Sequence, residues 1–225
     1  MKPELRIGVV DSGHSVAQRP RVSVGRRFYL VDEGVADDAL RDDPIGHGSA
    51  VVEAISQRAV SARLCVAQVF DQRGVTSALQ IATAIDWLVT QDVRVINLSL
   101  GLRQDRSLLR EACSAAVAHG VLLCASSPAQ GEGVYPASYP QVVRVTGDAR
   151  CSEQQWSWLN SQQADFAACV RGTYAGQSGA SLGCAALTGH IASFLGEHRD
   201  ASNAQVLQWL RDNAHYRGPE RRAWT

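Results

Sequence analysis

Ile7-Gly8-Val9-Val10-Asp11-Ser12-Gly13 carries an unbroken apolar run into an acidic turn. A run with no polar residue at alternate positions suits a strand buried on both faces, as parallel strands covered by helices are. Comparable runs recur at 64–70, 93–98, 121–125 and 142–145. Between them, 49–58, 76–90 and 107–119 repeat apolar residues at helical spacing. Thr76 or Ser77 supplies a helix cap and Gly120 a stop. Further on, 178–194 predicts a long helix rich in small residues, and 204–214 a last surface helix with Val206, Leu207, Leu210 and Ala214 on its apolar side. Strands alternating with helices predict an α/β fold in three layers, a mainly parallel central sheet with helices on both faces.

A chain of 225 residues, 45% hydrophobic and 20% charged, is expected to form one domain over 1–225 with a full core. Lys+Arg and Asp+Glu both number 22, so no overall field favours nucleic acid or an anionic membrane. Arg217, Arg221 and Arg222 are expected to be a solvated tail. The opening residues lack the charged and then apolar pattern of a signal peptide, and no apolar run reaches the roughly 18 residues of a membrane span. Six cysteines without CxxC spacing are expected to be reduced, buried core residues, which points to the cytoplasm.

Asp11 in Val10-Asp11-Ser12-Gly13, His47 in Gly46-His47-Gly48-Ser49 and Ser178 in Gly176-Gln177-Ser178-Gly179-Ala180-Ser181 stand beside glycines at distant points of the chain. Serine nucleophilic catalysis needs these three types: a hydroxyl, a base to take its proton, and a carboxylate to orient the base. Taken singly each segment is an ordinary turn or cap. Together, in the order Asp, His, Ser and on matching elements, they resemble the subtilisin-like serine proteases.

Further segments carry that resemblance: Val95-Ile96-Asn97-Leu98-Ser99-Leu100-Gly101, Tyr135-Pro136-Ala137-Ser138-Tyr139-Pro140-Gln141-Val142-Val143, and Asp165-Phe166-Ala167-Ala168. The resemblance spans about Ile7 to Ala214. It implies a subtilisin-like fold and acyl transfer with Asp11, His47 and Ser178 as catalytic residues. Ser99, Leu100 and Gly101 would bind a protein or peptide substrate as an added strand. Ala125, Ser126 and Ser127 would line the opposite wall of the pocket. No cofactor and no metal is implied, because no dense run of oxygen ligands appears. The substrate is met alone or presented by a maturation partner; nucleic acid and membrane are not expected partners.

The chain departs from the family at several points. Where the family has Ala-Gly-Asn and uses that Asn as an oxyanion donor, this chain reads Ala125-Ser126-Ser127-Pro128-Ala129-Gln130. Gln130 is the candidate substitute donor; the alternatives are the Ser178 N–H with another donor, an impaired enzyme, or a loop glutamine facing water. After the serine, Gly179, Leu182 and Gly183 replace the family's Met, Pro and His, and the glycines are expected to loosen the helix start and open space. His14 is expected to face solvent; the alternative is a histidine that titrates near the triad or touches substrate. The stretch from Ser12 to Asp43 carries no readable role, and neither an inhibitory leading segment nor a calcium loop is recognisable.

Overall fold

Parallel strands dominate the structure, a computed structural model that describes residues 4–172 and 179–220. The strands are β1 (Arg6–Asp11), β2 (Val22–Val31), β3 (Gly34–Ala39), β4 (Arg63–Gln68), β5 (Val95–Leu98), β6 (Leu122–Ser126), β7 (Val143–Asp148), β8 (Trp156–Trp158), β9 (Phe166–Cys169) and β10 (Tyr216–Arg217). Among the described residues they form one sheet in the order β10-β8-β9-β7-β6-β5-β1-β4-β2-β3. The helices are α1 (His47–Ser56), α2 (Ala78–Thr90), α3 (Ser107–Ala118), α4 (Ala180–Glu197) and α5 (Asn203–Asp212).

The apolar run of β1 is explained by two cores. Ile7 and Val9 pack with Val51 and Ile55 of α1 and Leu187 and Ile191 of α4. Val10 packs on the other face with Ile81 and Ile85 of α2 and Leu109 of α3. Successive side chains of a strand point to opposite faces, so a strand covered twice has no polar side to show. Full burial of such aliphatic side chains stabilises by about 1.5–3 kcal/mol each.

The expected strands and helices are present with ends shifted by a few residues, and Ser77 caps α2 by accepting from the Gln80 N–H at 3.2 Å. All six cysteines are free and buried. Three features depart from expectation. The stretch after Ser12 builds the antiparallel hairpin β2–β3, whose first strand pairs in parallel with β4. Arg217 is part of β10 and lies over the Trp158 ring at 5.2 Å, so it is no loose tail; Arg221 and Arg222 lie outside the described residues. His14 is buried, its Nδ1 2.8 Å from the Ser15 carbonyl, and its own carbonyl accepts from the Asp43 N–H.

From β1 the chain works sideways to β2, β3 and β4, then returns past β1 to β5 and onward. Such a reversal leaves a crevice at the carboxyl ends of the two strands beside it, here β1 and β5. Asp11 ends β1, and Ser99 follows β5.

Candidate active site

Asp11 and His47, 36 positions apart, meet in that crevice. His47 Nδ1 lies 2.7 Å from Asp11 Oδ1. The Asp11 side chain is 0% exposed and that of His47 39% exposed. A buried carboxylate is tolerable only when hydrogen-bonded, and Asp11 Oδ1 also accepts from the Ser12 N–H at 2.7 Å. With Nδ1–H donating to the carboxylate, the His47 Nε2 lone pair is free to take a hydroxyl proton. The Asp11 hydrogen bond, opposed by burial and helped by the charges of Asp11 and Asp43, raises the His47 pKa above the ordinary 6.5.

Asp43 is the residue the sequence reading missed. Gly46, at the N-cap of α1, has no side chain with which to cap. Asp43 does that work from three residues upstream, accepting the N–H of Ile45 (3.2 Å), Gly46 (2.9 Å) and Ser49 (2.8 Å) and the Ser49 hydroxyl (2.7 Å). It also accepts the Ser12 hydroxyl at 2.8 Å, and Ser12 Oγ in turn accepts the Gly48 N–H at 2.8 Å. One serine hydroxyl thus ties the turn after β1 to the first turn of α1. Burial alone would raise the Asp43 pKa, but these hydrogen bonds hold it below the ordinary carboxylate value. The available signal was an acidic residue just ahead of a helix start that lacked a capping side chain.

Gly48 is required by contact: a Cβ there would lie 2.3 Å from the Gly13 carbonyl oxygen. Gln68 holds the same turn from β4, donating to the Ser12 carbonyl at 2.7 Å.

Ser178 lies outside the described residues. Its neighbour Gly179 caps α4, and its N–H donates to the Val170 carbonyl at 3.2 Å. The expected opening of space by glycine is corrected at Gly183. A Cβ there would sit 2.3 Å from the Thr146 carbonyl oxygen, so this glycine lets α4 press closely on β7. Ser99 is buried, accepts from Asn97 Nδ2 at 2.8 Å and donates to the Ser181 carbonyl at 3.0 Å, anchoring the first turn of α4. Leu100 is buried and Gly101 exposed at the same edge, and Leu102 bridges antiparallel to Tyr135.

Ala125, Ser126 and Ser127 are buried at the end of β6, beside that segment. Their hydroxyls face inward, Ser127 Oγ to the Gln163 carbonyl at 2.7 Å and Ser126 Oγ to the Leu100 carbonyl at 3.4 Å. Backbone rather than side chains is therefore what this wall offers. Gln130 is exposed and lines a cleft of about 840 Å³ with Gly147 and Val170. Gly147 borders the start of α4: a Cβ there would lie 3.3 Å from the Gly179 carbonyl oxygen.

Other reactive types stand apart from this chemistry. Burial pushes the Cys113 and Cys124 thiols up to about 12 and lowers the His190 pKa to about 3. Among the described residues no group of three His, Cys, Asp or Glu side chains could hold a metal ion, and no helix is long and apolar enough to cross a membrane.

The carboxylate–imidazole pair at the reversal point of a parallel sheet defines a class, and sequence comparison agrees with it. The chain belongs to the subtilase family, whose model matches residues 6–223. It is 30% identical to subtilisin NAT of Bacillus subtilis subsp. natto over 240 residues, covering 95% of this chain and 61% of that protein. It is 27% identical to the minor extracellular protease Epr of Bacillus subtilis (strain 168), covering 93% of this chain and 35% of that one. The chain thus spans less than two thirds of these relatives. A solved psychrophilic protease shares the fold with a TM-score of 0.68 at 23% identity, covering 93% of this chain and 82% of its own.

Proposed function

We propose that this chain is a serine endopeptidase that makes a limited processing cut, such as leader-peptide removal, in a dedicated protein or peptide precursor. The observation that carries the reading is the 2.7 Å contact between buried Asp11 and half-exposed His47. It prepares a base whose Nε2 is left free to accept a proton. In this reading His47 takes the proton of the Ser178 hydroxyl as that oxygen attacks a peptide carbonyl, then returns it to the leaving amine. Asp11 fixes the tautomer and stabilises the imidazolium. Gln130, or the Ser178 N–H with another donor, meets the oxyanion, and the substrate backbone adds as a strand along Ser99–Gly101 opposite Ala125–Ser127.

The limited cut is supported by the altered sequence around Gly179–Gly183 and Gln130, and by resemblance to the small leader-processing protease of quinohemoprotein amine dehydrogenase biogenesis. Six free buried thiols support placement in the cytoplasm. A maturation partner that presents the precursor belongs to the same proposal.

The competing reading is a subtilase-fold module that grips a peptide without cleaving it. It rests on Ala129 standing where the family's oxyanion Asn is expected and on the exposure of Gln130. Fluorophosphonate labelling separates the two. The protease reading expects covalent labelling that disappears in Ser178→Ala and in His47→Ala; an unlabelled, folded wild-type protein supports the binding module.

A further inference from the structure

Asp11, Gln68 and Arg27 stand side by side across three adjacent parallel strands at the carboxyl edge of the sheet. Asp11 is in register with Gln68 between β1 and β4, and Gln68 with Arg27 between β4 and β2. Two strand spacings put the Arg27 backbone about 10 Å from that of Asp11. Beside Gln68 and Arg27 lies a cavity of about 350 Å³ lined by Arg27, Arg41, Arg73, Asp42, Asp71 and Gln68, among others. Its walls are tied to the turn after β1: Gln68 donates to the Ser12 carbonyl at 2.7 Å and accepts the Arg41 N–H at 3.1 Å, and the lining residues Arg41, Asp42 and Pro44 flank Asp43, four residues ahead of His47.

The charges lining this cavity do not cancel locally. Asp71 pairs with Arg73, and Asp42 is taken up by Arg19, which is outside the lining. Asp38 faces Arg27 in the β2–β3 ladder but turns its carboxylate to the Ala39 N–H at 2.7 Å. Arg27 rests its guanidinium over the Tyr29 ring at 4.6 Å. Among the described residues neither Arg27 nor Arg41 is in an ion pair. Two guanidinium groups outside any ion pair thus line a cavity that reaches Gln68 of β4, the strand beside Asp11. Their planar forks of donors suit a carboxylate in two-point contact.

We propose that this cavity is a specificity pocket for an acidic side chain of the substrate, bound by Arg27 and Arg41 on the His47 side of the cut bond. The inference rests on the proposed peptidase reading and names its substrate class: a peptide carrying Asp or Glu close to the cleavage site. Because the pocket is partly open to water, the preference is modest and screened by salt.

The test measures kcat/KM for the whole protein on fluorogenic peptides that carry Glu, Gln or Lys in turn at each position flanking the cut. The expected result is a Glu-over-Gln ratio of about tenfold at one position, as a charge-assisted hydrogen bond supports. That ratio falls toward one in Arg27→Gln/Arg41→Gln, shrinks in 0.5 M salt, and gives way to Lys preference in Arg27→Glu/Arg41→Glu. Because each ratio is taken within a single variant, partial loss of folded protein cancels. Cleavage with no acidic preference at any position overturns the pocket and leaves the peptidase reading standing. If wild type cleaves nothing, anisotropy with fluorescein-labelled Glu and Gln peptides on Ser178→Ala decides. Tighter binding of the Glu peptide upholds the pocket without the peptidase, and equal binding overturns it.

Discussion

The two halves of the cleft are built differently. Around His47, at least nine hydrogen bonds among Asp11, Ser12, Asp43, His47, the backbone amides of 45–49, the Ser49 hydroxyl and Gln68 hold the turn and the start of α1 together. Around Gln130 the chain is exposed, and the Gln130 amide has no hydrogen-bond partner among the described residues. In the proposed mechanism, the half that would move protons is set before substrate arrives, whereas the half that would meet negative charge keeps its side-chain donor unplaced. Fixed dipoles cost no reorganisation during reaction, and a free side chain must be ordered first. The difference predicts an enzyme whose base is ready and whose oxyanion donor is completed by the bound substrate.

Breaking the ordered half has the largest expected effect. Asp11→Asn preserves shape but removes the charge that holds the His47 tautomer, and kcat/KM on a cleaved peptide is expected to fall about 10⁴-fold. A fall below tenfold breaks the comparison. On the open half, Gln130→Ala is expected to lower kcat by about 10²–10³-fold with little change in KM, if the amide donates to the oxyanion. A change under threefold assigns the oxyanion to backbone donors alone.

Close packing of the ordered half is checked by Gly48→Ala. The added Cβ meets the Gly13 backbone at 2.3 Å, so urea denaturation should show a loss of about 1–3 kcal/mol. An equally stable variant would mean that the α1–β1 contact yields easily.

Asp43→Asn is expected to have the smallest effect. Asp43 contributes to raising the His47 pKa, after the Asp11 hydrogen bond. His47 works as a base only when neutral, so activity rises with pH as the imidazolium loses its proton. Removing the Asp43 charge lowers that pKa, and the acid limb of the kcat/KM profile should move to lower pH. Loss of activity with an unmoved limb would make Asp43 a helix cap and nothing more.

Much of the fold was legible because burial writes itself into composition. Val9 and Val10 face opposite cores, and only a doubly covered strand can leave both apolar. The β2–β3 hairpin escaped because it lies at the sheet edge, where exposed Leu30 and Val31 alternate with nothing regular and packing constrains pattern weakly. Asp11 and His47 were legible as residue types beside glycines on suitable elements. Asp43 offered only an acidic residue ahead of a helix start: its backbone N–H partners are groups every sequence supplies, and the Ser12 and Ser49 hydroxyls meet it only in the folded chain.

By itself, then, the sequence determined the parallel α/β architecture, the family, and the residue types from which an acid–base pair could be made. Folding in three dimensions brings Asp11 against His47 and lets Asp43 and Ser12 lock the turn between them. It alone decided that Gly183 serves close packing instead of open space, and that Arg27 and Arg41 share a cavity near the reacting groups. The physical reason is range: burial and periodicity act on neighbours in sequence and can be read locally. Hydrogen-bond partners and unpaired charges come together through strand order, which no single segment of the chain encodes.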